Sequence, residues 1–102
     1  MSKILDLSVK EPFFDSIVRG AKKIEYREMS EYWIKKLVDT DKYKTKDIEQ
    51  LRMAIYSDIE PKFIHYDNIR FHCGERQITC KLKDIRTYPH HRCFAIHIGT
   101  VL

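Results

Sequence analysis

Lys22, Glu25 and Arg27 place an ammonium, a carboxylate and a guanidinium close together just after Gly20. Each suits a different part of one ligand. A guanidinium can fork onto a phosphate or a base edge, an ammonium supplies a point charge, and a carboxylate accepts from an exocyclic amine. A surface Glu25–Arg27 pair is the plainer use of the same residues, contributing at most about 1 kcal/mol. A second cationic set comes later in the chain. Between Arg76 and Arg92 lie Lys81, Lys83 and Arg86, with His90 and His91 beside them and Asp84 the one acid. Cations spread along strands without a fixed fork suit phosphate contacts, and a solvated strand face accounts for them equally well. Tyr66 and Tyr88 fall in expected loops near basic residues, where rings can stack bases. Tyr26, Tyr32, Trp33 and Phe63 could do the same, but core packing is the commoner fate of each. His72-Cys73 and His90-His91-x-Cys93 offer nitrogen and sulfur ligands. Adjacent strand residues point to opposite faces and no zinc-ribbon spacing occurs, so neither a metal nor another cofactor is expected.

The elements that would position these groups follow from periodicity. Residues 12–19 read as a short amphipathic helix, with Phe13, Phe14, Ile17 and Val18 as its apolar stripe. Ser8-Val9-Lys10-Glu11 has the spacing of a capping box before it. Gly20 takes the left-handed position that ends the helix. The period then changes to two, so Glu25 and Arg27 share one strand face while Ile24 and Tyr26 share the other. Ser30 caps a second helix with Trp33, Ile34 and Leu37 on its buried side. Asp39 to Thr45 reads as a loop, and Thr45 as the cap of a third helix carrying Ile48, Leu51, Ala54 and Ile55. The stretch 39–62 could form a flap or outer layer bordering a cleft. Ile4, Leu5, Leu7 and Val9 suggest a first strand. Ile69, Phe71 and Cys73, then Ile78, Cys80 and Leu82, then Phe94, Ile96 and Ile98, alternate as half-buried strands. The phase slips by one at Asp84-Ile85, as at a bulge.

Gly20-x-Lys22-x-x-Glu25-x-Arg27 after an aromatic-rich helix resembles the signature of the ASCH (ASC-1 homology) family of the PUA-like superfamily. The likeness extends to Ser30–Leu37 and to a closing strand from Phe94 to Leu102. The resemblance implies one domain over residues 1–102, of α+β class. Its centre would be a small PUA-like β-barrel of about five or six strands with two or three flanking helices. It also implies a cleft for RNA or a nucleotide-like ligand, edged by Lys22, Glu25 and Arg27. Tyr66, Lys81, Lys83, Arg86, Tyr88 and Arg92 are the further binding residues expected from the chain itself. Some ASCH proteins act as amidohydrolases on acetylated cytidine, and Lys22, with Glu25, would then be catalytic. Those proteins carry Thr where this chain has Glu25, and a carboxylate does not replace a nucleophilic hydroxyl. Catalysis is therefore left undecided, and a protein-interaction module is the third reading.

The 102 residues suffice for one core, and 43% hydrophobic with 33% charged residues is a folded composition. The net charge of +4 is compatible with nucleic acid without requiring it. No apolar run approaches the roughly 20 residues of a membrane helix, and Lys10 and Glu11 interrupt any signal-peptide core. A cytoplasmic protein with no membrane partner is expected. Three cysteines, an odd number, are expected as reduced thiols.

Overall fold

A computed structural model describes residues 3–102, apart from the side chain of Pro89; Met1 and Ser2, part of the signal-peptide reading, lie outside it. The described residues form β1 (Ile4–Ser8), α1 (Glu11–Val18), β2 (Ile24–Glu28), α2 (Glu31–Leu37), α3 (Ile48–Ser57), β3 (Asn68–Cys73), β4 (Arg76–Tyr88) and β5 (Cys93–Val101). The strands make one sheet in the order β1-β3-β4-β5-β2. β1 runs parallel to β3, and β3 antiparallel to β4. The class is α+β as expected, with five strands and three α-helices among the described residues. β1 and β2 are the edges of the sheet. No helix among the described residues is long and apolar enough to cross a membrane.

The chain divides into two compact units. The first holds the described residues up to Glu25, with His65–Asp84 and Ile96–Leu102; the second holds Tyr26–Ile64 and Ile85–Ala95.

In the first unit, period-two alternation makes Leu5 and Leu7 register partners of Ile69 and Phe71, and all four are buried. Cys80, Ile96 and Ile98 are buried as well. α1 adds Phe14 and Ile17, three residues apart on one helix face. The expected stripe was twice as wide. Phe13 and Val18 are 48% and 46% exposed, because a helix of two turns turns only one narrow face inward. The capping box is also absent: Lys10 is the N-cap and makes no side-chain cap bond. Ser8 instead ends β1 opposite His72, and the Val9 N–H donates to the His72 carbonyl at 3.0 Å. Parallel pairing holds the chain extended through the residues that a capping box would need.

The end of α1 follows the sequence closely. Gly20 sits at φ +74°, its N–H bonds the Ile17 carbonyl at 3.0 Å, and the Ala21 N–H bonds the Ser16 carbonyl at 2.9 Å. These two bonds are the pair that defines a Schellman stop, where glycine avoids the cost of a side chain in the left-handed region. The same turn delivers Lys22 toward the start of β2.

Gly99 matters for a different reason. A Cβ there would stand 2.9 Å from the Lys81 Cβ and 3.1 Å from the Lys81 carbonyl oxygen. Neither atom can swing away, since one is backbone and the other is attached to it. Gly99→Ala should therefore lower stability by about 1–3 kcal/mol, the usual range for overpacking. Urea unfolding monitored by circular dichroism measures it, and a variant with wild-type stability would show that β4 and β5 have room to part.

In the second unit Ser30 caps α2, its hydroxyl accepting from the Trp33 N–H at 3.3 Å. Ile34 and Leu37 are buried, while Trp33 is half-buried. The cap of α3 is Asp47, accepting from Glu49 and Gln50, and not Thr45. Thr45 sits two residues earlier, accepting from the Asp47 N–H and donating to Gln50 Oε1. The carboxylate takes the cap because it offers a charged acceptor to the positive end of the helix. α3 buries Leu51 and Ile55 among a core that includes Met29, Val38, Phe94 and Ala95. Residues 39–62, expected as a flap or outer layer bordering a cleft, contribute Leu51 and Ile55 to the core and line a cleft with Arg52 and Tyr56.

Candidate nucleic-acid interface

The structure places the motif residues on the more sheltered face of β2. Along that strand Glu25 is buried, Tyr26 exposed, Arg27 half-buried and Glu28 exposed. In the first unit Lys22 Nζ stands 3.5 Å from Glu25 Oε1, with only 19% and 12% of the two side chains exposed. The Lys22 ammonium also lies 5.0 Å from the centre of the Phe13 ring, and so covers part of that exposed aromatic. In the second unit the Arg27 guanidinium lies 5.0 Å from the Trp33 ring, and Trp33 meets Tyr32 edge-on at 4.9 Å.

The basic set is split by exposure. On β4, Lys81, Lys83 and Arg86 are exposed, while Asp84 and Ile85 are both half-buried. The out-of-phase step between Lys83 and Arg86 falls where the sequence phase slips. Arg70, which faces the same side as Lys81 by register, is engaged. Its Nε donates to Asp6 Oδ1 at 2.8 Å, and His72 Nε2 meets the same oxygen at 2.6 Å. The bond to His72, then the one from Arg70, hold the Asp6 carboxyl below the usual carboxylate range. Tyr66 is half-buried with the Lys3 ammonium 5.7 Å from its ring.

Rings gather in the second unit around Tyr88. Tyr26 and Tyr88 have centroids 5.8 Å apart at 31°, and His91 meets Tyr88 edge-on at 6.4 Å. Tyr26 is 49% exposed and His91 is also exposed. Arg86 precedes Tyr88 by two positions and so shares its strand face. Arg92 follows the short turn Pro89–His91 with a backbone φ of +51°. It borders a cleft of about 300 Å³ with Arg52, Ser30, Tyr56 and Glu28. A non-glycine residue in that region carries backbone strain, which persists where the surroundings impose it. Of the expected binding residues, Arg86, Tyr88 and Arg92 thus fall in one unit with rings at hand. Tyr26, named in the sequence only as one of several rings that could stack, was missed as the partner of Tyr88, because the contact between β2 and the end of β4 is non-local.

Two other features are structural. Tyr43 Oη donates to Asp58 Oδ2 at 2.8 Å, and Lys42 Nζ reaches the same oxygen at 2.6 Å. Burial, and then the Asp58 carboxylate, push the Tyr43 phenol up to about 12, while Asp58 is drawn down to about 2, first by Lys42. The neutral phenol is the form that folding favours. Its stabilisation is complete below the ordinary value near 10 and is lost as pH rises from there toward about 12. An alkaline absorbance titration should show one of the six tyrosines ionising late, and Tyr43→Phe should abolish that late step. An unchanged curve would dissolve the clamp. The cysteines are free thiols, and burial raises Cys80 and Cys93 above the ordinary range. Among the described residues no three His, Cys, Asp or Glu side chains gather as metal ligands.

Comparison of the chain with protein-family models, with curated proteins and with solved structures found no match.

Proposed function

We propose that this chain is an ASCH-like, PUA-type domain that binds single-stranded RNA. One observation carries the reading: the Tyr26–Tyr88–His91 ring array, in which Tyr26 and His91 are exposed and Tyr88 is half-buried, with the exposed Arg86 and Arg92 close by in the chain. Stacking on aromatic rings requires unpaired bases, tolerates any base, and takes its affinity from phosphate contacts nearby. Tyr26 and Tyr88 offer the platform, and the two arginines supply the charge. In the first unit Lys81 and Lys83 are exposed cations of the kind that hold phosphate without reading sequence.

The strain at Arg92 gives this reading a specific test. Arg92→Gly relieves the left-handed backbone and removes one phosphate contact. Stability should hold or rise by up to about 1 kcal/mol, since the gain is offset by glycine entropy. RNA affinity should fall uniformly across sequences, with the salt slope reduced by about one unit or less. Fluorescence anisotropy with a labelled single-stranded RNA at two salt concentrations reads both. A wild-type protein that binds no RNA at low salt would end the proposal.

A further inference from the structure

The first unit contains a cleft of about 520 Å³, and Lys83 is the one residue of its lining that the RNA reading also uses. The cleft is lined by Lys23, Ile24, Lys83, His97, Ile98, Gly99 and Thr100. We propose that it binds a small phosphomonoester carried on a flat, largely apolar group, a nucleoside monophosphate being the simplest of that class. The size is right for one such molecule, since pockets for small ligands run from about 300 to 1,000 Å³. It is too small for a run of nucleotides.

The lining divides into three functions. Lys23 and Lys83 are both exposed at the cleft, and no carboxylate is among the residues that line it. Two point charges with rotatable donors suit a dianionic phosphate, where the planar fork of arginine is not needed. Ile24 and Ile98 supply apolar walls for a ring. His97 supplies the polar handle. Its Nε2 is buried with no hydrogen-bond partner among the described residues. Such an atom is uncommon in a folded protein and costs free energy until something bonds it. That nitrogen is closed to solvent in the ligand-free protein, so a hydroxyl, phosphate oxygen or base nitrogen of the ligand would supply the missing partner once the His97 ring turns toward the cleft.

The pattern was partly visible in the chain. His97 interrupts Phe94-Ala95-Ile96 and Ile98, and Lys23 stands next to the motif lysine. What could not be read is that the start of β2, the middle of β4 and the end of β5 border one space.

The test is an amide-resonance titration of the full chain with adenosine 5′-monophosphate, adenosine and inorganic phosphate, each separately. The monophosphate should shift the amides of Ile24, Gly99 and Thr100 and bind at least about tenfold tighter than either fragment. Lys23→Gln combined with Lys83→Gln should weaken it by about tenfold or more, and His97→Gln by about threefold or more, with unfolding midpoints held. The titration is repeated on Tyr26→Ala/Tyr88→Ala, which removes the two tyrosines proposed to stack RNA bases. Cleft shifts that persist there support the proposal even if RNA binding is lost, and their disappearance overturns it. It is likewise overturned if inorganic phosphate binds as tightly as the monophosphate. A double-lysine variant that binds like the wild type would have the same effect.

Discussion

Glu25→Gln should destabilise the protein by about 2–3 kcal/mol, more than most polar substitutions in a chain this size. The reason is the side chain left behind. The Lys22 side chain is only 19% exposed, and its ammonium lies 3.5 Å from the carboxylate. Removing the negative charge leaves that ammonium sheltered from water without its counter-charge. Fully buried pairs broken in this way lose about 3–5 kcal/mol, and the residual exposure here lowers the figure. Lys22→Met should cost a similar amount, because it strands the carboxylate and removes the cation over Phe13. The double variant Lys22→Met/Glu25→Gln should recover much of the loss, since neither charge then remains. Urea unfolding of the four proteins closes the cycle. If Glu25→Gln costs under about 0.5 kcal/mol, the pair behaves as an ordinary surface ion pair.

Tyr26→Ala combined with Tyr88→Ala should reduce affinity for single-stranded RNA by roughly 30-fold or more. Each stacked base is worth about 1–3 kcal/mol, and tenfold in affinity corresponds to about 1.4 kcal/mol. Tyr26 is half-exposed and on the open face of β2, so its loss should disturb folding little. Single alanines separate the contributions, and the rings touch, so their effects should not add. Phenylalanine at either position keeps the stacking face and should keep most of the affinity. Were the Phe variants as weak as the Ala ones, the hydroxyls would be the binding groups and stacking would fail as the explanation.

The sequence made local structure legible wherever a residue type admits few backbone states. Gly20 marked the end of α1, Ser30 marked the start of α2, and the alternation in Ile69–Cys73 and Ile78–Leu82 marked β3 and β4. It misled where two residues compete for one role. Ser8 and Thr45 carry acceptable capping side chains, but strand pairing occupies the first and Asp47 outcompetes the second. Periodicity also gives a face without giving its direction. In Ile24-Glu25-Tyr26-Arg27 one face is charged and the other is apolar and aromatic, so burial of the apolar face was the natural expectation. The structure shelters Glu25 with Lys22, sets Arg27 against Trp33, and turns Tyr26 outward. The charges could be sheltered because each had a partner close in sequence, three residues away for Lys22 and six for Trp33. The Tyr26–Tyr88 contact joins distant parts of the chain, and no local pattern announces it.

The proposed function rests on unpaired bases stacking on the Tyr26–Tyr88–His91 surface. It is tested most directly by titrating the wild-type protein with a labelled single-stranded RNA and with the duplex made from it, at one fixed salt concentration. Duplex RNA offers the same phosphates but keeps its bases paired and stacked on one another. Binding to the single strand should be at least about tenfold tighter than to the duplex, with that preference lost in Tyr26→Ala/Tyr88→Ala. Equal binding of the two forms, or a preference that survives the loss of both rings, would contradict it.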